Sequence, residues 1–374
     1  MGGWLAGGNG AALRRFGSRE MTSAGVMTDT GAVGGAAARP TGWISFLSDY
    51  GLEDTCVGVC HGVIARHAPQ VRVLDVCHVV AAQDIEHGAG LLADSVGYLP
   101  VGVHLAVVER LDPAGSPERG ATAATTATAA TTATTATAAT TAATTAAARE
   151  RDDPAAVTSA ARGVAIRVAD GSTFVAPDNG LTSLAWDVLG GVTAAHEISN
   201  PALWLPLPSA VFRGRDVYAP VAARLAAGLA LAEVGPRIDT DSLVRITRPA
   251  CVVDDDHVHA QVLAVDHFGN LSLNVTRGDL EAAGMLLGDW VEIRAAGRET
   301  TLSFTYTYGD VPVGQPALCE DSLRRVMLAV NCGRASDLLR LRRGDAVVIG
   351  QPPREPDRDA AAGATAVVRL PALT

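Results

Sequence analysis

The sequence predicts an α/β domain with a mostly parallel central sheet, followed by a small antiparallel β-barrel domain. Three observations predict it. The apolar run Ile44-Ser-Phe-Leu-Ser48 halts at Asp49-Tyr50-Gly51, the pattern of a buried parallel strand ending in a loop at its carboxyl edge, where open α/β sheets bind ligands. From Trp43 to Val108, strand-like and helix-like segments alternate, which implies parallel strands with covering helices. From about residue 248 the pattern changes to short apolar runs between Gly and Asp turns, the spacing of a small barrel.

Taken in order, residues 43–47 read as a strand, 56–65 as a helix, 71–76 as a strand, 84–96 as a helix and 103–108 as a strand. Residues 121–148 are only Ala and Thr. Threonines oppose the helix that alanine favours, and no large apolar face exists to be packed, so 120–162 is expected to be a flexible surface insertion. Residues 164–168 and 172–176 then form a hairpin turning at Asp170-Gly171, 181–188 a helix, and 217–231 a long Ala/Leu helix that stops at Gly235-Pro236. The barrel strands are expected at 251–253, 259–266, 271–274, 290–293, 301–305 and 346–349. The resulting organisation is a disordered extension over 1–41, an α/β domain over 42–236, a linker over 237–247, the barrel over 248–352 and a loose tail over 353–374.

A chain of 374 residues is long enough for two domains with real cores. Its net charge of -10 offers no basic stripe to neutralise phosphates, which excludes a nucleic-acid scaffold and suits a cationic small ligand. The first 41 residues hold one short basic cluster, Arg14 and Arg15, without a continuous apolar stretch of signal-peptide length, and Met21 and Met27 are alternative starts. The six cysteines lack disulfide-framework spacing, and the Ala/Thr run is too weakly apolar for a bilayer. The expected location is cytoplasmic, with no membrane partner.

Besides Asp49-Tyr50-Gly51, four segments carry the means for chemistry. They are Asp75-Val-Cys-His78, the loop Leu111-Asp-Pro-Ala-Gly-Ser-Pro-Glu-Arg119, the turn Ala176-Pro-Asp-Asn-Gly180 and the turn Asp266-His-Phe-Gly-Asn270. In both turns a Gly permits close backbone approach while Asn or Asp offers hydrogen bonds at a strand end. Asp49 alone is suited to accept two hydrogen bonds from a vicinal diol such as a ribose, or to act as a strand-end cap.

Together, in this order, the motifs resemble those of enzymes acting at C5′ of S-adenosylmethionine, the adenosine-forming hydrolases and their fluorinase and chlorinase relatives. The resemblance runs from about Thr41 to Gly350, the Ala/Thr tract excepted. It rests on Phe46-Leu-Ser-Asp-Tyr-Gly51, Asp75-Val-Cys-His78, Ala176-Pro-Asp-Asn-Gly180, Phe212-Arg-Gly-Arg-Asp216, Asp266-His-Phe-Gly-Asn270 and Thr307-Tyr-Gly-Asp310. It implies an α/β domain plus barrel, assembled as a homotrimer with the nucleoside pocket between neighbouring subunits, and no cofactor or metal. It further implies that Asp49 holds the ribose, that Phe268, Asn270 and Tyr308 surround the adenine, and that Asp266 and Ser322 hold the methionine ends. Asp178, Asn179, Phe212 and Gly214 join the substrate site as members of the matched motifs.

The implied reaction is hydrolysis of S-adenosyl-L-methionine to adenosine and L-methionine. Sulfonium is a good leaving group, so the demand is a desolvated nucleophile in line behind C5′. In the hydrolases an Asp and an Arg seven residues apart hold the water, and Asp112 and Arg119 have that spacing here. The chain departs from the family in two places. Glu109-Arg110-Leu111 intervenes between the strand and Asp112, so Glu109 competes with Asp112 for the catalytic place. The family's His is replaced by Arg213, which cannot act as a general base at neutral pH. Gly214 stands where fluorinases carry a fluoride-contacting Ser, which argues against fluorination. A chlorinase-like halide transfer and a non-catalytic binding protein are the alternatives.

Three lookalikes have plainer readings. Asp254-Asp-Asp-His257 with His259 reads as an acidic hairpin turn rather than a metal cluster, and Cys56 with Cys60 as small buried helix residues. His78 reads as a strand-end side chain that orders the adjacent loop.

Overall fold

Residues 41–109 and 161–352 are described in the computed structural model. The expected N-terminal extension, nearly all of the Ala/Thr insertion and the tail lie outside them, as do Asp112 and Arg119. The chain divides into two units, Met1–Val244 and Arg245–Thr374.

The first unit contains β1 (Trp43–Ser48), α1 (Cys56–His67), β2 (Arg72–Cys77), α2 (Ile85–Val96), β3 (Val103–Val107) and β4 (Gly163–Val168). These are followed by β5 (Thr173–Pro177), α3 (Ser183–Val188), β6 (Val192–Glu197), α4 (Ala219–Ala226) and β7 (Arg237–Ile238). The sheet order is β2-β1-β3-β5-β4-β6-β7. β2, β1, β3 and β5 are parallel to one another, and β4, β6 and β7 continue the sheet with antiparallel pairings. β3 and β5 are buried along their whole length, as parallel strands covered on both faces must be, and their largely apolar sequences, broken only by buried His104 and Thr173, follow from that.

Alternation along β1 sends Ile44 and Phe46 to one face with α1 and α4, and Leu47 to the other with α2 and α3. The α2 amino end is capped by Asp84, which accepts from His87 N at 3.1 Å. The long helix expected over 217–231 is shorter. It begins after a π-helical turn, Gly214–Tyr218, and is stopped by Gly228 at φ +106°, leaving Leu231–Val234 as a separate 3-10 turn.

The second unit contains β8 (Val252–Val253), β9 (His257–Val265), β10 (Leu271–Thr276), α5 (Arg277–Ala282), β11 (Trp290–Ala295) and β12 (Arg298–Phe304). The remaining elements are β13 (Pro316–Glu320), β14 (Arg325–Val330), α6 (Ala335–Leu339) and β15 (Ala346–Gly350). Seven strands in the order β10-β14-β13-β12-β11-β15-β9 close through β9–β10, with β8 appended to β9. Among the described residues of this unit only the β12–β13 pairing is parallel. Val258, Ala260 and Val262 on β9 and Leu271, Leu273 and Val275 on β10 fill the interior, the period-2 pattern of a small packed barrel. β13 and β14, absent from the strands expected from the sequence, complete the closure.

Candidate active site

The carboxyl ends of β1 and β3 carry the acidic groups of the first unit. Asp49 follows β1, and its Oδ2 accepts from Gln83 N at 2.9 Å. Gln83 adopts φ +63°, a left-handed conformation uncommon for a residue with a side chain. The adjoining turn is braced by Gly51 N donating to His78 O at 2.6 Å. Burial pushes the Asp49 carboxyl above its usual range, against the Gln83 hydrogen bond. Its Oδ1 accepts no hydrogen bond from another described residue, so one oxygen is fixed and the other is available.

Glu109, just past β3, has the same division of labour. Its Oε1 accepts from Arg213 Nη1 and from the Tyr218 hydroxyl, both at 2.9 Å, and Arg213 Nη1 also donates to Ala161 O at 2.7 Å. Oε2 accepts nothing among the described residues. The Glu109 side chain is only 16% exposed. Burial pushes its carboxyl up and Asp49 adds to this, while Arg213 and the Tyr218 hydroxyl pull the other way. Tyr218 is fully buried, its ring 5.0 Å from the Arg213 guanidinium. Its pKa is raised by burial and by Glu109, so it stays a neutral donor.

The π-helical turn places Phe212 and Gly214 beside Tyr50. Tyr50 meets Phe212 edge to face at 5.4 Å and Phe46 at 6.4 Å. A Cβ at Gly214 would lie 1.8 Å from the Tyr50 hydroxyl oxygen, so only glycine fits while the phenol points there. The turn is pinned by Asp216, which takes two hydrogen bonds from Arg215 at 2.6 and 2.8 Å and one from Ser209 N at 2.8 Å.

Asp178 and Asn179 lie in the turn after β5, and their side chains are engaged by the protein. Asp178 accepts from Arg162 Nε and Val244 N. Asn179 donates to Val108 O and accepts from Leu181 N, which ties this turn to the residue before Glu109. Beneath Asp49 runs a relay. Ser48 Oγ meets His78 Nδ1 at 2.7 Å, and Asp75 Oδ1 lies 2.8 Å from His61 Nε2 and 3.1 Å from His78 Nε2, the latter at an angle too poor for a hydrogen bond. Two imidazoles and a carboxylate are also a donor set for a divalent ion. Here a single oxygen already serves His61 and abuts His78, as in a polar relay that braces the loop, the role expected of His78.

In the second unit the Asp266–Asn270 turn closes on itself, Asp266 accepting from Asn270 N and Nδ2 at 2.8 Å each. Phe268 at its tip is 70% exposed and Tyr308 is 49% exposed. Tyr308 sits in a short 3-10 turn capped by Thr307, and Ser322 is exposed between β13 and β14. The Asp254–His257 turn joins β8 to β9 through Asp254 N and His257 O.

Asp49, Glu109, Phe212, Arg213 and Gly214 thus belong to one neighbourhood of the first unit, and sequence reasoning missed Tyr218 and Tyr50 there. The cue for Tyr218 was present in its place one turn after Arg213, and that for Tyr50 in its place beside Asp49.

Fold and strand-edge groups define an enzyme class: an α/β unit with a β-barrel, whose carboxylates, guanidinium and phenols are set for polar small-molecule chemistry. Residues 44–149 and 153–235 match the SAM hydroxide adenosyltransferase N-terminal domain and residues 260–348 its C-terminal domain, and the chain belongs to that family. It is 40% identical over 307 residues to an (R)-S-adenosyl-L-methionine hydrolase of Salinispora tropica, covering 82% of this chain and 97% of that protein. A protein of the same name from Thermus thermophilus is 32% identical, with 80% and 96% covered. A fluorinase of Nocardia brasiliensis is more distant, 31% identical over 68% of this chain and 78% of its own. The crystal structure of an uncharacterized conserved protein from Thermotoga maritima superposes with a TM-score of 0.66 at 28% identity, covering 82% of this chain and all of that one.

Proposed function

We infer that this chain hydrolyses S-adenosyl-L-methionine at C5′ to give adenosine and L-methionine, taking the (R)-sulfonium form for which its relatives are named. The observation that carries the mechanism is Glu109, with one oxygen tethered to Arg213 and Tyr218 and the other free. A water held by Oε2 attacks C5′ on the side opposite sulfur. The C–O bond forms as the C5′–S bond breaks, its electron pair going to sulfur, and the water's proton passes to the Glu109 carboxylate. Arg213 holds the carboxylate in place rather than acting as the base. Asp49 grips the ribose hydroxyls through its free Oδ1. Phe268, Asn270 and Tyr308 surround the adenine, and Asp266 and Ser322 receive the amino and carboxylate ends of methionine. Asp178 and Asn179 serve the site by bracing it.

Asp112 and Arg119 are the competing pair for holding the water. Incubating the protein with S-adenosyl-L-methionine, with and without chloride, and identifying the nucleoside tests the reaction. Adenosine in both buffers is expected; 5′-chloro-5′-deoxyadenosine, or no product, would sink it. We place the enzyme in the cytoplasm as a homotrimer with the nucleoside pocket between neighbouring subunits, a reading that gives the exposed rings of Phe268 and Tyr308 a partner to face. Light scattering should return the mass of three chains. Among the described residues no helix is long and apolar enough to cross a membrane.

A further inference from the structure

We propose that the Tyr50 hydroxyl positions the attacking water, and that residue 214 is glycine in order to admit it. This rests on the hydrolysis reading and adds a residue that the matched motifs do not assign. The geometry starts from the backbone. A Cβ at position 214 would stand 1.8 Å from the Tyr50 oxygen and 2.9 Å from its Cζ, so the phenol is held against the bare backbone of the π-helical turn. Edge contacts with Phe212 at 5.4 Å and Phe46 at 6.4 Å fix the ring plane. Packing alone would be satisfied by phenylalanine.

The hydroxyl makes no hydrogen bond among the described residues. Tyr50 is partly buried, and its oxygen is not one of the sealed polar atoms left without a partner, so a phenol O–H that ordinarily finds a partner has water within its reach. Its surroundings say what that partner is. Asp49, the group for the ribose, and Glu109, the group for the water, both act on Tyr50 through their charges, after burial and alongside the thiols of Cys60 and Cys56. All of these raise its pKa, so Tyr50 stays protonated and serves as a donor at any working pH. A protonated donor held against Gly214, next in sequence to the Arg213 that grips Glu109, suits a water molecule. The Tyr50 O–H donates to one lone pair of the water, the other lone pair is left for C5′, and one water proton faces Glu109 Oε2. Tyr50 itself neither gains nor loses a proton in the step.

The test is Tyr50→Phe, which keeps the ring and removes the oxygen. We expect kcat to fall roughly ten- to hundredfold, with KM for S-adenosyl-L-methionine and the thermal midpoint unchanged and adenosine still the product. A role in packing alone would leave kcat where it is. Gly214→Ala, by displacing the phenol, should lose at least as much as Tyr50→Phe. Combining the two changes should add little further loss, because the hydroxyl is already gone. Wild-type turnover matched by Tyr50→Phe overturns this inference and leaves the hydrolysis reading standing. Wild-type protein that releases no adenosine overturns both.

Discussion

The strand ends of the first unit and the turns of the barrel unit hold their candidate site side chains in opposite ways. In the first, Glu109, Arg213 and Tyr218 are tied to one another and withdrawn from solvent, and Asp49 is fixed by a backbone N–H. In the second, Asp266 and Asn270 bond to each other, while Phe268 and Tyr308 lie 70% and 49% exposed. Groups that must move a proton or hold a charge need their geometry set before the substrate arrives, because reorganisation during the reaction raises the barrier. Rings that stack on a base gain their environment from the ligand and whatever covers it. The two regions should therefore fail differently, the first in kcat and the second in KM.

The sharpest test of that contrast is Glu109→Gln, which keeps the shape and removes the base. Its kcat should drop roughly 10²- to 10⁴-fold with KM little changed, measured as adenosine release. If Glu109→Gln is active and Asp112→Asn is not, the water belongs to the loop beyond β3 and the contrast moves with it.

A second difference is acid sensitivity of the first unit. His104 is buried in β3, bonded to Ser45 Oγ at 2.7 Å, and burial pushes its pKa down to about 4. The unfolded chain takes up this proton near pH 6.5 and the folded one only near 4, so stability is full above pH 6.5 and falls as pH drops between those values. At ~1.4 kcal/mol per pKa unit the loss is about 3 kcal/mol. Urea unfolding at pH 7 and pH 4.5 should show it, and His104→Gln should flatten the slope. A barrel-unit probe with the same slope would break the contrast.

The smallest effects belong to the barrel. Phe268→Ala or Tyr308→Ala should each raise KM roughly tenfold, as expected for lost stacking worth ~1–3 kcal/mol, with kcat within about twofold by initial rates. A fall in kcat alone would show that these rings also serve the chemistry.

How much of this was legible in the sequence depended on contact distance. β1, β2 and β3 announce themselves through local apolar runs closed by turn residues, and α1 and α2 through their period. β6 hides because Val192-Thr-Ala-Ala-His-Glu197 is short-chained and polar at its end. β13 opens on a proline and holds a buried cysteine in place of a branched residue. The overlong helix came from reading Ala/Leu content past Gly228, whose conformation ends it. In the site, Asp49 and Glu109 were legible as acids at strand ends. Their partners were not, since Arg213 and Tyr218 reach Glu109 across more than a hundred residues, and no local pattern encodes that approach.

The contact between Tyr50 and Gly214 also constrains how this protein could have come to be. Any side chain at position 214 collides with the phenol, so the two positions cannot drift independently. A lineage carrying a larger residue at 214 must acquire the glycine before a tyrosine at 50 can hold its phenol in this place. The reverse path requires the tyrosine to be lost first. The pair is therefore a coupled unit of mutational history, each position setting what the other tolerates.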